Sequence, residues 1–141
     1  DAEGVVPLED GIMTIGGIAI VLIGAFPLVH FITQKLSAPL KKIGAKFDLD
    51  EISVAGLIAN LANNILMFQL MKDMNQKGKI LNCAFTVSAA FVLGDHLGFC
   101  ANADQGMIIP MMAAKFSGGI TAVIAANFLW KRFVPDQKLP Q

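Results

Sequence analysis

The chain has little charge and no excess of either sign. Lys and Arg number 11, Asp and Glu 11, and charged residues make up 16% of the 141. An average soluble domain carries about 25%. A balanced chain has no net field to gather phosphates, so nucleic acid is excluded as a partner. Cysteine is scarce: Cys83 and Cys100 are too few for a disulfide scaffold. Both sit in apolar runs and read as free, buried thiols. A nucleophile elbow, a phosphate-cradling glycine loop and a metal-ligand pair at i, i+4 are all missing. Asp95, His96 and either cysteine have no zinc-like spacing. An enzyme reading has nothing to rest on, and neither a cofactor nor a metal is called for. No basic segment precedes an apolar one at the start, so no signal peptide is read. The first residue is Asp1, not Met, and the chain reads as a piece of a longer polypeptide.

What the chain has in plenty is apolar residues, 55% of the total, with a mean hydropathy of +0.61. That composition excludes disorder. Four runs hold most of it. Residues 11–34 are uncharged and meet the spanning requirement of about 20 residues; Pro27 is tolerable in such a helix. Residues 52–71 are uncharged but carry Asn60, Asn63, Asn64 and Gln69. A third run starts after Lys79, meets Asp95 and His96, and continues to Asp104. The fourth, 107–130, contains Lys115 and ends at Trp130-Lys131-Arg132, an interfacial anchor. A soluble helix would show a polar face, and these runs show little of one. The fold class expected is all-α, a polytopic integral membrane protein of three to four transmembrane helices forming one membrane domain over 1–141, with the lipid bilayer as its solvent.

The loops set the topology. Lys35, Lys41, Lys42 and Lys46 follow the first run, Lys72, Lys77 and Lys79 the second, and Lys131, Arg132 and Lys138 the fourth. Basic loops prefer the cytoplasm. If all four runs span, two of these clusters face outward. If the second run enters and leaves on one side, every basic cluster is cytoplasmic, with the acidic N-terminus and Asp104 outside. Leu61-Ala62-Asn63-Asn64 is a suitable place for the turn, since Asn is a weak helix former whose amide bonds freed backbone groups. A re-entrant hairpin or broken helix with Asn63 and Asn64 at its tip is therefore expected, each arm reaching roughly 15 Å.

Asp95 is the most informative residue, because ionisable groups inside a membrane are functional candidates by default. It lies roughly 22 Å from the cytoplasmic boundary along the third run, and Lys115 roughly 12 Å from the outer one. In a core of about 30 Å these depths nearly coincide, so the two groups could pair, and the pair would then be a neutralised ion pair with no substrate role. His96 reads as a proton relay, a pH switch or a substrate hydrogen-bonder. His30 reads as interfacial and the methionines as packing or lipid-facing residues. Gly94-x-x-x-Gly98 brackets Asp95 and His96 and permits a close approach or a break. ANNILMF and GDHLGF thus form two interrupted segments at similar depth, as in transporters whose sites lie near the midplane.

LANNILMFQLMKDMNQKGKILNCAFTVSAAFVLGDHLGF closely resembles the ethanolamine permease family of ethanolamine-utilisation operons (EutH). The resemblance extends through MIIPMMAAKFSGGITAV and back through IGAFPLVHFITQKLSAPL, covering roughly residues 11–127. Members are longer integral membrane proteins, and this chain looks like their C-terminal portion. Where the family pattern has Pro after ANNI, this chain has Leu66. The resemblance implies uptake of ethanolamine across the bacterial inner (cell) membrane by a multi-pass permease. The chemistry of the residues then suggests Asp95 for the ammonium, Asn63 or Asn64 for the hydroxyl, Lys115 as a competitor for Asp95, and His96 as a pH-sensitive neighbour. Partners expected are ethanolamine and the missing N-terminal portion of the transporter, with a homo-oligomer left open. Two alternatives stand beside this reading: a cation-coupled carrier or channel for another small solute, and a structural membrane piece inactive without its N-terminal portion.

Overall fold

The computed structural model describes residues 7–134 and, within the first helix, only some of the side chains. Six helices account for nearly all of it, and no strand occurs among the described residues: α1 (Leu8–Lys46), α2 (Glu51–Ala62), α3 (Asn64–Leu70), α4 (Gln76–Ala89), α5 (Asp95–Ala103) and α6 (Ile108–Phe133). Short 3₁₀ turns, Met71–Asp73 and Gln105–Met107, follow α3 and precede α6.

Side chains of Asp and Asn start half of these elements. An acceptor at the N-cap satisfies an amide that has no partner within the helix. Asp50 accepts from the Ser53 N–H at 2.6 Å to open α2, and Asn75 accepts from the Gly78 N–H at 2.6 Å to open α4. Asn63 accepts from the Ile65 N–H at 2.8 Å, ending α2 and opening α3 in one residue. Asp104 does the same for the turn before α6, accepting from the Gly106 N–H at 2.8 Å. In α1, Glu9 and Asp10 lie in the first turn and Lys46 in the last, the order the helix dipole favours.

α2 and α3 fold into a hairpin whose two ends meet. Asp50 accepts a second hydrogen bond, from the Asn75 N–H at 2.7 Å, so residues 25 apart are tied at its base. Asn75 Nδ2 donates to the Asp48 carbonyl at 3.1 Å, and Lys77 Nζ reaches Asp48 Oδ2 at 3.1 Å. The tip lies at Asn63, in extended backbone (φ −158°, ψ 123°). The turn needs no proline: α3 runs through Leu66 unbroken, and the change of direction falls three residues earlier.

The third run is broken as well. α4 ends at Ala89, residues 90–94 form a turn, and Asp95 opens α5. Phe91 takes φ 61°, costly for a bulky side chain. The second and third runs are therefore not single spanning helices. Among the described residues one stretch, Gln105–Phe133, is long and apolar enough to cross a membrane. The first run lies within α1.

α6 packs antiparallel to α4. Ser88 Oγ donates to the Lys115 carbonyl at 3.2 Å, and Gly119 lies against Phe85 and Ala89. α5 lies mainly along α1, with Gly17 beside Asn102. These directions bring the lysines that end α1, those around the start of α4, and Lys131 and Arg132 to one end of the bundle. Glu9, Asp10 and Asp104 lie toward the other. The apolar core, Leu61, Val92 and Leu93, sits where the two broken helices meet, with Phe85, Met111, Met112 and Phe116 packed on it. Large apolar side chains on the outer faces of α1 and α6, such as Ile12, Ile20, Ile120, Ile124 and Phe128, are exposed.

Candidate functional site at the two helix breaks

The two interrupted segments touch. A helix leaves its last carbonyls without partners, and those of α2 are taken by the turn after α4. The Phe91 N–H donates to the Asn60 carbonyl at 3.0 Å and the Leu93 N–H to the Leu61 carbonyl at 2.8 Å. Gly94 lies so close to the Ala62 carbonyl that a Cβ there would overlap it. Backbone groups freed by each break are thus partly satisfied by the other, as non-helical backbone away from water requires.

Asn63 and Asn64 follow Ala62, and Asp95 and His96 follow Gly94. The four candidates therefore flank one backbone contact. Asp95 is the first residue of α5, where a carboxylate is favoured by the helix dipole, and its side chain is exposed. His96 is exposed, its ring edge-on to Phe91 with centroids 5.6 Å apart. Its imidazole lies within electrostatic reach of both Asp95 and Lys115. Asn64 is half-buried, and among the described residues no protein group hydrogen-bonds its amide. Asn63 is partly committed, because its carboxamide oxygen caps α3.

Asp95 and Lys115 do not pair. Ion pairs among the described residues are Lys41–Glu51 and Lys77–Asp48, at 3.2 and 3.1 Å. The Ser88 bond sets the Lys115 backbone level with the last turn of α4. The break at 90–94 moves Asp95 off the line of α4, onto a helix that lies along α1 more than along α6. Its neighbour His96 comes within reach of Lys115 instead. The cysteines are free, but Cys83 is exposed and Cys100 half-buried, not both buried. Asn82 turns into the bundle, and the next residue, about 100° further round the helix, turns out. His30 lies in α1, and its side chain is outside the described residues.

Behind the breaks lies a polar seam that the candidate set missed. Ser53, Asn60 and Asn82 are fully buried. Asn82 Nδ2 donates to the Ser53 and Gly78 carbonyls, both at 2.9 Å. Thr86 Oγ1 donates to Asn60 Oδ1 at 2.6 Å, and Asn60 Nδ2 lies 3.5 Å from Asn82 Oδ1. The signal was present as a helical spacing of small and polar residues: Ser53, Gly56 and Asn60 on one helix, Gly78, Asn82 and Thr86 on the other. At the base of the hairpin, burial pushes the Asp50 carboxyl up. The hydrogen bonds it accepts from Ser53 and Asn75 outweigh this and hold it below the ordinary aspartate range. Among the described residues no three His, Cys, Asp or Glu side chains converge as a metal site would need.

No solved structure matches the chain. Relatives are found by sequence. The chain is 50% identical over 135 residues to the "Probable ethanolamine permease EutH" of Listeria monocytogenes, covering 96% of this chain and 36% of that protein. It is 49% identical over 118 residues to the protein of the same name in Escherichia coli, covering 84% and 29%. The "Uncharacterized protein YxeR" of Bacillus subtilis is 47% identical over 126 residues, covering 89% and 34%. The chain thus spans about a third of the length of the curated relatives it matches and corresponds to their C-terminal portion. The names of the first two relatives describe probable permeases, a transporter class and not an enzyme class. The family model described as "Ethanolamine utilisation protein, EutH" matches residues 2–129, nearly the whole chain, which therefore belongs to the EutH family of ethanolamine utilisation proteins.

Proposed function

We propose that this chain is the C-terminal part of a permease that takes up ethanolamine across the bacterial inner membrane, and that the meeting of its two helix breaks forms part of the substrate site. One observation carries the reading. The turn at 90–94 hands its amides to the end of α2, which brings Asn63 and Asn64 and the pair Asp95 and His96 to a single junction. Protonated ethanolamine offers a cation at one end and a hydroxyl at the other. The Asp95 carboxylate holds the ammonium, a charge-assisted bond worth more than a neutral one. The Asn64 amide, without a hydrogen bond among the described residues, takes the hydroxyl, with the NH₂ of Asn63 beside it. His96 tunes the site with pH, and Lys115, in no ion pair among the described residues and near His96, keeps a second cation from settling there.

The membrane arrangement follows the same reading. α6 crosses the bilayer, as does the part of α1 that holds the first apolar run. The α2–α3 hairpin enters from the basic, cytoplasmic end and returns to it. Its arms of about 16–18 Å reach the middle of a core of about 30 Å. The third run crosses with its break near the midplane. Exposed apolar faces of α1 and α6 contact lipid or the remaining two thirds of the transporter. Binding and release proceed by alternating access without covalent chemistry.

The test is labelled-ethanolamine uptake at about pH 6 in cells lacking their own permease, comparing the full-length parent with Asp95→Asn at matched expression. Loss of at least 90% of uptake in the variant is expected. Undiminished uptake in the variant would remove Asp95 from the site, and no uptake by the parent would remove ethanolamine as the substrate.

A further inference from the structure

The seam and the site share one residue, Asn60. Its side chain lies in the seam between α2 and α4, fully buried. Its backbone carbonyl accepts the Phe91 N–H at 3.0 Å, the first bond anchoring the 90–94 turn. What fixes the turn therefore depends on what fixes Asn60.

The bonds to the Asn60 side chain are unequal. Its Nδ2 lies 3.5 Å from Asn82 Oδ1, at the outer limit of a hydrogen bond. Its Oδ1 receives the Thr86 hydroxyl at 2.6 Å. Asn82 is already engaged elsewhere, with both amide protons on the Ser53 and Gly78 carbonyls. Thr86 thus supplies the one short contact that orients Asn60. It is half-buried in the last turns of α4, five residues before Phe91. Removing its hydroxyl would leave a buried acceptor unsatisfied, and in a closed seam the remedy is for Asn60 to move.

We infer that Thr86, acting through Asn60, is a positioning residue that holds the 90–94 turn, and with it Asp95 and His96, in register with the tip of the α2–α3 hairpin. The inference rests on the substrate-site reading above for its effect on transport, and on geometry alone for its effect on the turn. Thr86 touches no substrate. Its loss raises the ethanolamine concentration needed for half-maximal uptake and spares the maximal rate.

The experiment uses the full-length permease with Thr86→Val, which keeps the shape and loses the hydroxyl, and Thr86→Ser, which keeps the hydroxyl. Uptake against ethanolamine concentration is measured at matched membrane expression. In parallel, maleimide modification rates are followed at Cys100, one turn beyond His96 on α5, and at Cys83, exposed on α4, with any other cysteines of the parent replaced. The expected result is a half-saturation concentration raised at least threefold in Thr86→Val, a Cys100 rate altered at least threefold, an unchanged Cys83 rate, and parent-like behaviour in Thr86→Ser. Unchanged half-saturation together with unchanged Cys100 reactivity would overturn the inference. So would a lower maximal rate as the sole effect, since that is what reduced folding alone produces. If the unmutated parent takes up no ethanolamine, the substrate reading fails by itself, and the Cys100 rate decides the positioning role.

Discussion

The two helix breaks differ in how they are held. At Asn63 the chain turns with its own resources: one side chain caps the next helix, the backbone is ordinary extended chain, and the returning arm packs on the outgoing one. At 90–94 no side-chain cap is present, Phe91 is forced to φ 61°, and the amides of Phe91 and Leu93 have acceptors only because α2 ends beside them. The first break is local and the second is borrowed. On the proposed reading, a substrate site built across both would be in register only when the hairpin is seated.

The most severe way to break this comparison is Gly94→Ala. The added methyl would meet the Ala62 carbonyl, a backbone group that yields only if the turn lifts away. A loss of roughly 2–3 kcal/mol is expected, read as a lower melting temperature of the purified full-length protein and as loss of uptake. A variant that melts with the parent would mean the contact between the breaks is slack.

Asn63→Ala probes the local break and should cost less, about 1 kcal/mol for a lost cap. Asn63→Asp keeps the acceptor and should restore stability. Because the turn at 90–94 bonds α2 upstream of Asn63, the Cys100 modification rate should stay near that of the parent. A large change there would show that the local break also depends on its partner.

The smallest effect is expected at the hairpin base, and it carries a pH dependence. The folded pKa of Asp50 lies below its unfolded value of about 3.9. Its contribution is therefore present above that unfolded value and fades as pH falls through the folded one. Asp50→Asn retains one acceptor of two and should lower stability at neutral pH by about 1 kcal/mol. The gap from the parent should narrow on acidification below about pH 4. Parallel melting curves for both proteins from neutral to acid pH would test this; a gap that widens would refute it.

Much of the frame was legible before any coordinates. The turn at Asn63–Asn64 was read from the asparagines themselves, whereas the caps at Asp50, Asn75 and Asp104 were found only in the structure. The charge pattern of the loops favoured a second run that folds back on itself, and the Asp50–Asn75 bond closes a hairpin there. The interrupted segments ANNILMF and GDHLGF were expected at comparable depth, and the structure brings them into contact. What failed was lateral placement. Depth along a helix follows from counting residues, at about 1.5 Å each. The direction in which a broken helix departs does not, and Asp95 and Lys115, which similar depths would have allowed to pair, stay apart for that reason. The seam of Asn60, Asn82 and Thr86 was overlooked because polar residues in an apolar run suggest ligand chemistry first and helix packing second.

The sequence by itself determined the helical class, the family, the chain reversal at Asn63–Asn64 and the segregation of basic from acidic ends. Each depends on short-range chemistry or on a count along the chain. Tertiary structure alone decided that Phe91 leaves the helix, that Gly94 seats on Ala62 and that Asn60 is oriented by Thr86. Those outcomes need a partner brought from 26 to 32 residues away. No local preference encodes them, because the acceptors that stabilise the second break do not exist until the first has formed.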